Sequence, residues 1–373
     1  MRHRGETRLM QGSLEDFRSS DSVRHYAPDL RLYPVDGRIQ LNCELSAGQL
    51  SGTVTWRLVQ STDQACSMRF DAVDLNILKV FSSQGSTLTH RYDGQSLFVS
   101  WDEATPLDNE TVTIEWSVRQ PKAGLYFVGG LPDRKEPPFL GVWTDHETER
   151  ARYWLPCVDH PAVRTSITLE LTTDADVVHL GCGLSQSNKA GSNERQSVWR
   201  LDEPCPAYLL CFAAGPLSHH EFKASNGLSL DVFGFEPTTK AELARSFEGT
   251  AGMMSWMTER LGVEFPYPKY WQFVAPAIGG AMENISLTSW DQRFFGDEAT
   301  HREFGVWVDI INLHEMAHSY FGDLVVIRDF AHAWLKEGWA TYMESVWLTE
   351  TMGQDTGQWL LQEDRLAYLD EIA

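Results

Sequence analysis

The stretch that decides the fold and the chemistry reads HEMAH at residues 314–318, followed by WLKEG at residues 334–338. In an α-helix, side chains four positions apart lie on one face, about 6 Å apart along the axis. His314 and His318 can therefore meet one metal ion, with Glu315 beside the metal rather than bound to it. Glu337, nineteen residues after His318, offers a carboxylate as third ligand. Two histidines and a carboxylate leave the fourth tetrahedral position for water, which is typical of a catalytic zinc.

The alternative is that the motif is a chance pair of surface histidines, because only three of its five positions are fixed. Against this alternative, both histidines fall on the apolar stripe of the predicted helix, with Trp307, Ile310, Ile311, Ala317 and Phe321. Buried imidazoles need polar partners, and a shared metal ion supplies one. Glu337 lies in a second predicted helix that begins near Ala333. The sequence therefore predicts one Zn²⁺ per chain.

A zinc site of this kind implies amide hydrolysis. Zinc lowers the pKa of its bound water towards about 7 and polarises a carbonyl oxygen. Glu315 can take the water proton and later pass it to the leaving amine. Histidine ligands also need acceptors for their other ring nitrogen. Asp323 and Glu344 are the candidates for this role, and ordinary surface carboxylates are the alternative for both.

Composition narrows the class of protein. The chain has 373 residues and a net charge of −21, and no basic stripe, so nucleic acid is not an expected partner. The longest nearly apolar run, 207–217, is too short to span a bilayer and is predicted to be a buried strand. Six scattered cysteines and the absence of a visible secretory signal favour a reducing compartment and a cytoplasmic location. The sequence leaves the oligomeric state open.

Apolar periodicity divides the chain into parts. Residues 1–25 are predicted to be a loose arm. Residues 26–216 show period-two alternation, which predicts an antiparallel, sandwich-like all-β domain. The clearest alternating sets are Ile39, Leu41, Cys43 and Leu45; Val54, Trp56 and Leu58; Val112, Ile114, Trp116 and Val118; and Ile167, Leu169 and Leu171.

Residues 217–373 change to a mixed pattern. Strands are predicted at 229–235 and 270–275, and helices at 239–261, around the two histidines up to Gly322, from Ala333 onwards, and at 358–372. This order of elements predicts an α/β catalytic domain.

A second motif, GGAMEN at residues 279–284, lies about thirty residues before the zinc helix. Paired glycines allow close approach of a ligand to the backbone, and an extended segment can pair with a substrate strand. Glu283 would then be a carboxylate near a cleft. Chemistry alone favours this interpretation no more than a plain loop.

Together, GAMEN, HEMAH and Glu337 closely resemble the aminopeptidase N family of gluzincin metallopeptidases. The resemblance extends to ARYWLPCVDHP at residues 151–161, YPK at 267–269, FGD at 321–323 and the WL-EG pattern around Glu337. It covers most of the chain from about residue 25. It implies an N-terminal β-sandwich or saddle domain followed by a thermolysin-like zinc peptidase domain.

The resemblance also implies roles for site residues. Glu283 would bind the free α-amino group of a peptide, which makes peptides with a free N-terminus the expected partners. The other residues of the motif, Gly280, Ala281, Met282 and Asn284, would contact the substrate, with the strand holding its backbone. The segment TDHE at 144–147 resembles a family loop that reaches the active site, so Glu147 would be a second carboxylate near the amine. A desolvated ammonium needs such paired charge.

The sequence departs from the family pattern in three places. Asp145 replaces a usual glutamine, and the hypothesis is that its charge favours lysine or arginine at the substrate's N-terminus; an acceptor without effect on preference is the alternative. Ile285-Ser286 replaces a common Trp-Gly, which would reshape the pocket wall. The family's oxyanion-binding tyrosine is not matched by Tyr342 or Tyr368, and the chain ends 55 residues after His318.

Losing one oxyanion donor costs roughly 3–4 kcal/mol in the barrier. The departures therefore predict a truncated chain that binds zinc but turns over slowly, if at all.

Two alternatives to an aminopeptidase stay open at this point. One is the epoxide-hydrolysing branch of the same family, which shares the motifs. The other is a non-catalytic scaffold, against which the intact ligand set, Glu315 and Glu283 argue.

Overall fold

The computed structural model describes residues 27–62, 66–102, 105–129, 140–175, 177–276 and 278–372, with side chains described as far as Asp370. The predicted loose arm, residues 1–25, lies outside the described residues.

The first part of the chain consists mainly of strands. In chain order they are β1 (Leu32–Glu44), β2 (Gln49–Gln60), β3 (Ser67–Asp71), β4 (Asn76–Ser82), β5 (Thr89–Tyr92), β6 (Ser96–Ser100), β7 (Thr111–Arg119), β8 (Gly124–Val128), β9 (Gly141–Asp145), β10 (Thr165–Thr173), β11 (Val178–Gly181), β12 (Leu184–Ala190), β13 (Arg195–Cys205) and β14 (Phe212–Gly215).

These strands form three sheets. The largest has the order β12-β13-β10-β1-β2-β7-β4, the second β11-β14-β9-β8 and the third β3-β6-β5. Among the described residues the pairing in these sheets is antiparallel, except that β1 and β10 run parallel. The predicted antiparallel pairing holds except at this pair, since alternation along one strand does not reveal the direction of its neighbour.

Burial follows the predicted alternation. In β1, Ile39, Leu41 and Cys43 are buried, and the polar residues between them are exposed. The segment 151–161 closes this core through two tryptophan side chains. Trp116 Nε1 donates to the carbonyl oxygen of Trp154 at 2.6 Å, and Trp56 Nε1 to that of Pro156 at 2.9 Å. The motif segment is thereby fixed across the largest sheet.

The second part of the chain combines one sheet with helices. Its strands are β15 (Leu217–His220), β16 (Val232–Phe235), β17 (Trp271–Ala275), β18 (Ala281–Met282) and β19 (Leu287–Asp291). Its helices are α1 (Lys240–Ser246), α2 (Thr250–Leu261), α3 (Glu298–His318), α4 (Ala333–Met352) and α5 (Gln354–Ile372). The sheet order is β15-β16-β17-β19-β18, so β18 is an edge strand. β14 ends at Gly215 and β15 begins the second sheet, and we propose the domain boundary between them, at residues 216–217.

Several predicted elements differ in their bounds. The helix predicted at 239–261 is two helices, because Phe247 leaves the helix to pack on Trp290 and Phe295, each with ring centroids 5.3 Å away. The strand predicted at 229–235 is shorter, and α5 begins four residues earlier than the predicted 358. Residues 207–217 are buried mostly as predicted, but a 3₁₀ turn at Ala207–Leu209 precedes the strand.

Direct hydrogen bonds join the two parts of the chain. Lys269 Nζ donates to the carbonyl oxygen of Gly181 at 2.7 Å, and the Ile285 amide donates to the carbonyl of Leu209 at 3.2 Å. Lys269 is 2% exposed and lies 4.5 Å from the ring centroid of Trp199 in the first part. The Ile285 bond holds the segment after β18 against the β-rich part of the molecule, and the Lys269 contacts hold the residues before β17 against it.

Candidate metal centre

Helix α3 brings the two histidines together. Asp297 caps its first turn, where Asp297 Oδ1 accepts a hydrogen bond from the Thr300 amide at 2.9 Å. Twenty-one residues later the helix ends at His318, so both histidines lie in its last turns. Their Nε2 atoms are 3.0 Å apart, and the two rings are inclined at 81°. The structure confirms that the i, i+4 spacing converges the two imidazoles on one point.

Glu337 completes the group from helix α4. Its Oε2 lies 3.3 Å from Nε2 of His314 and 3.4 Å from Nε2 of His318. Atoms bound tetrahedrally to zinc at roughly 2.0–2.1 Å lie roughly 3.3 Å apart. These three side chains form a metal-sized group, and a second group of carboxylates adjoins it through Glu337.

The outer ring nitrogens of both histidines have acceptors. Nδ1 of His314 lies 2.6 Å from Oε1 of Glu344, as predicted for that glutamate. Nδ1 of His318 lies 3.1 Å from the carbonyl oxygen of Phe321. The prediction that Asp323 orients a histidine was wrong, because the backbone leaves the helix at Phe321 and Gly322 and turns the Phe321 carbonyl back towards the ring.

The hydrogen-bond partners of the two histidines indicate whether His314, His318 and Glu337 can bind a cation. A carbonyl oxygen and a carboxylate can only accept, so the proton of each neutral imidazole lies on Nδ1. Both Nε2 atoms then present lone pairs towards each other and towards Oε2 of Glu337. Three acceptors within 3.0–3.4 Å repel one another unless a cation lies between them. The donor set fits a zinc ion.

Glu315 lies beside this group. It is 5% exposed, and its Oε2 has no hydrogen-bond partner among the described residues. Burial raises the pKa of Glu315 well above its usual value. A buried carboxylate with a raised pKa is suited to accept and release a proton.

A cluster of carboxylates meets around Lys336, a residue that sequence reasoning missed. Lys336 Nζ lies 2.8 Å from Oε1 of Glu147, 2.5 Å from Oε1 of Glu283 and 2.6 Å from Oε1 of Glu337. The lysine is 1% exposed. The predicted pair Glu147 and Glu283 is therefore brought together beside the metal group. Charge counting could have indicated the lysine, since several acidic residues at one zinc site require a nearby cation.

The cluster shifts the pKa values of its members in opposite directions. Burial raises the pKa of Glu147 to about 7, helped by the charge of Glu283 and opposed by Lys336. Burial alone would raise the pKa of Glu283, but the charge on Lys336 outweighs it and holds that pKa below its usual value. Glu283 is therefore the carboxylate that stays ionised at neutral pH.

Asp145 lies at the end of β9 and is 8% exposed. Its Oδ2 is 3.4 Å from Nη1 of Arg150. The positive charge of Arg150 offsets the negative charge of Asp145, and the predicted preference for basic N-terminal residues depends on that negative charge. Burial raises the pKa of Asp145 to about 6, while Arg150 opposes the shift. The next residue, His146, accepts a hydrogen bond from Trp154 Nε1 at 2.8 Å and is completely buried, so it packs in the core.

The predicted substrate strand forms the edge of its sheet. Ala281 and Met282 pair with β19 on one side only. A Cβ added at Gly280 would meet no described atom within 4 Å, which leaves the backbone accessible there. Asn284 is 1% exposed, and its Nδ2 lies 3.2 Å from Ser289 Oγ and 3.4 Å from the Met282 carbonyl. Asn284 therefore braces the motif from within.

Comparison with known families assigns the chain. Residues 24–209 match the peptidase M1 N-terminal domain, and residues 245–370 match the peptidase family M1 domain. The chain belongs to peptidase family M1, the aminopeptidase N family that its motifs resemble.

Individual relatives are similar at modest identity. The chain is 26% identical to a puromycin-sensitive aminopeptidase of Caenorhabditis elegans over 67% of its own length and 28% of that protein. It is 27% identical to an aminopeptidase N of Lactobacillus helveticus, over 54% of the chain and 24% of that protein. With a leucine aminopeptidase 2 of Saccharomyces cerevisiae the identity is 24%, over 85% of the chain and 46% of that protein. The chain thus spans less than half the length of these relatives.

A solved structure confirms the predicted fold class. The crystal structure of an M1 zinc metallopeptidase from Deinococcus radiodurans, a glutamate-to-alanine mutant, superposes with a TM-score of 0.73. The match has 21% sequence identity and covers 91% of this chain and 75% of the other. Within the described residues, none of the helices has the length and apolar character needed to cross a bilayer.

Proposed function

We propose that the chain carries the active site of a zinc-dependent aminopeptidase that removes single residues from peptides with a free N-terminus. The observation that carries this proposal is that Glu337 belongs to two adjoining groups. One is formed by His314, His318 and Glu337, and the other is the carboxylate cluster of Glu147, Glu283 and Glu337. One group suits a metal ion that would polarise a carbonyl, and the other suits an ammonium. Their proximity supports cleavage next to a free terminus.

His314, His318 and Glu337 would hold one zinc ion. Zinc held there supplies Lewis acidity towards a water molecule and the substrate carbonyl. Glu315, whose Oε2 is buried and without a described partner, accepts the proton from the attacking water and gives it to the leaving amine.

The chain's remaining residues bind and orient the peptide. Glu283 and Glu147 accept hydrogen bonds from the α-ammonium group. These hydrogen bonds replace those to the water molecules that the ammonium loses on binding. The free edge of β18 pairs with the peptide backbone. This arrangement places the first peptide bond, rather than an internal one, beside the metal.

We also propose a cytoplasmic location. All six cysteines are free thiols and five of them are buried, a pattern typical of a reducing compartment.

The proposed function is tested with the purified chain and two leucine p-nitroanilides, one with a free amine and one N-acetylated. We expect about one equivalent of zinc per chain by elemental analysis, cleavage of the free-amine substrate only, and loss of cleavage with a chelator. Zinc-loaded chain that cleaves both substrates equally would contradict the amine site. Chain that cleaves neither while binding zinc would contradict the enzymatic role.

A further inference from the structure

Lys336 connects the metal group to the carboxylates proposed to bind the substrate amine. Its Nζ lies 2.5–2.8 Å from an oxygen of each of three carboxylates, and it donates hydrogen bonds to those of Glu283 and Glu337. The partners come from three separate segments: the loop after β9, the loop after β18 and helix α4. One side chain therefore joins both parts of the molecule at the site.

Each of the three carboxylates contacts Lys336 through one oxygen, Oε1. Glu337 turns Oε1 to Lys336 and Oε2 to the two histidines, so the lysine contact holds it in a one-oxygen orientation towards the metal position. Glu147 and Glu283 also use Oε1 for Lys336. Their second oxygens are therefore left for the substrate ammonium, with the two carboxylates held side by side.

The charges of the cluster require the lysine. The ligand oxygens of Glu147, Glu283 and Glu337 lie within 4.8 Å of one another. Buried like charges at this spacing repel strongly, and their desolvation is offset only by a paired cation. Glu337 belongs to the metal group, and the charge of Lys336 is balanced by Glu283. Ionisation of Glu147 then gives the amine site a net charge of −1, which matches a single ammonium.

The aliphatic part of Lys336 lies beside Gly322. Gly322 has φ of +146°, and a Cβ built on it would lie 3.5 Å from Cβ and Cδ of Lys336. The same bend orients the Phe321 carbonyl that holds His318. The lysine is thus packed against the segment that positions a metal ligand.

We propose that Lys336 is a positioning residue that fixes the amine-binding carboxylates at a set distance from the metal and so restricts cleavage to the first peptide bond. This proposal rests on the function proposed above. Lys336 acts through Glu147, Glu283 and Glu337, and it does not itself touch the substrate.

The test uses Lys336→Met in the zinc-loaded full chain, with Lys122→Met as matched control. Lys122 also pairs with a carboxylate, Asp74, but on an exposed surface. Calorimetry measures the Kd of leucinamide and of N-acetyl-leucinamide, and a competing chelator measures the Kd of zinc. We expect Lys336→Met to weaken leucinamide binding at least about tenfold and zinc binding by a similar factor, because charge-assisted hydrogen bonds are lost. N-acetyl-leucinamide binding and the control variant stay as in the unmutated chain.

A double-mutant cycle separates positioning from general loss of structure. If Lys336 acts through Glu147, adding Glu147→Gln to Lys336→Met weakens leucinamide binding by clearly less than the product of the two single effects. Lys336→Gln serves as a second neutral variant if the methionine variant fails to fold.

The two proposals fail in different ways. A neutral variant that binds leucinamide and zinc as tightly as the unmutated chain, or effects that simply multiply in the cycle, overturns the role of Lys336 and leaves the proposed function standing. An unmutated chain that binds both amides equally overturns the amine site, and the role of Lys336 with it.

Discussion

His314 and Glu344 are joined by a short hydrogen bond: Nδ1 of His314 lies 2.6 Å from Oε1 of Glu344, thirty residues further along the chain. The carboxylate accepts a hydrogen bond from Nδ1–H, which keeps the ring proton on Nδ1 and leaves the Nε2 lone pair for a metal. Because α3 and α4 pack side by side, the histidine on one helix is oriented by a residue of the other.

Glu344→Gln should weaken zinc binding. An amide can donate to Nδ1, which moves the ring proton to Nε2 and removes the lone pair that binds the metal. We expect about a 10–100-fold loss of zinc affinity, measured by competition with a fluorescent chelator. Glu350→Gln is the matched control, since Glu350 lies on the same helix and pairs with Arg260 at the surface. Equal zinc affinity in the two variants would show that Glu344 does not orient the histidine.

Glu315→Gln should separate zinc binding from hydrolysis. The amide keeps the size of the side chain but cannot accept the proton of water, so we expect kcat to fall roughly 10²–10⁴-fold while zinc content is unchanged. Elemental analysis and hydrolysis of leucine p-nitroanilide measure the two effects. Glu303→Gln, an exposed change on the same helix, should behave like the unmutated chain. Undiminished hydrolysis by Glu315→Gln would exclude the residue as the base.

Glu283→Gln should reduce recognition of the free amine. Hydrogen bonds to charged groups contribute about 1.5–3 kcal/mol, so we expect the KM of leucine p-nitroanilide to rise roughly 10–150-fold. Binding of the N-acetylated analogue as a competitive inhibitor provides the control and should not change. A variant in which both ligands weaken equally would point to a structural role for Glu283.

Asp145→Gln should change the preference for basic N-terminal residues only slightly. Arg150 already offsets the charge of Asp145 at 3.4 Å, so we expect the ratio of arginyl to leucyl p-nitroanilide hydrolysis to stay within about threefold. In Arg150→Gln the uncompensated carboxylate should raise this ratio. A tenfold fall of this ratio in Asp145→Gln would support the hypothesis that Asp145 selects basic side chains.

Asp145→Asn should stabilise the fold more at high pH than at low pH. Burial raises the pKa of Asp145 from 3.8 to about 6, so the folded chain prefers the protonated form. The carboxyl therefore disfavours folding increasingly as the pH rises from 3.8 through 6. We expect the gain in free energy of unfolding to be about 1 kcal/mol larger at pH 8 than at pH 5, from urea denaturation. A gain independent of pH would show that the carboxyl is not desolvated.

Local sequence patterns were sufficient for much of the fold. The alternation of Ile39, Leu41 and Cys43 predicts a half-buried strand, because the period of two is a property of the strand itself. The helix that carries His314 and His318 was predicted for the same kind of reason. The direction of β10 beside β1 was not, since the pattern along a strand is the same for parallel and antiparallel neighbours.

Helix ends and breaks were also set by partners distant in sequence. Phe247 ends α1 to pack between Trp290 and Phe295, and neither of them lies in the predicted helix. The backbone bend at Phe321 and Gly322, which supplies the acceptor for His318, replaced the predicted contact with Asp323. Such choices depend on packing, which a linear pattern does not encode.

The sequence by itself determined the metal group, because His314, Glu315 and His318 are neighbours on one helical turn and Glu337 belongs to a recognisable motif. Only the tertiary structure brought Glu147, Glu283 and Lys336 into one cluster, with contacts across 53 residues between Glu283 and Lys336. The physical reason is the range of the constraint. Helix geometry fixes the spacing of near neighbours, whereas ion pairs between separate strands and helices form only when the packed core has placed them.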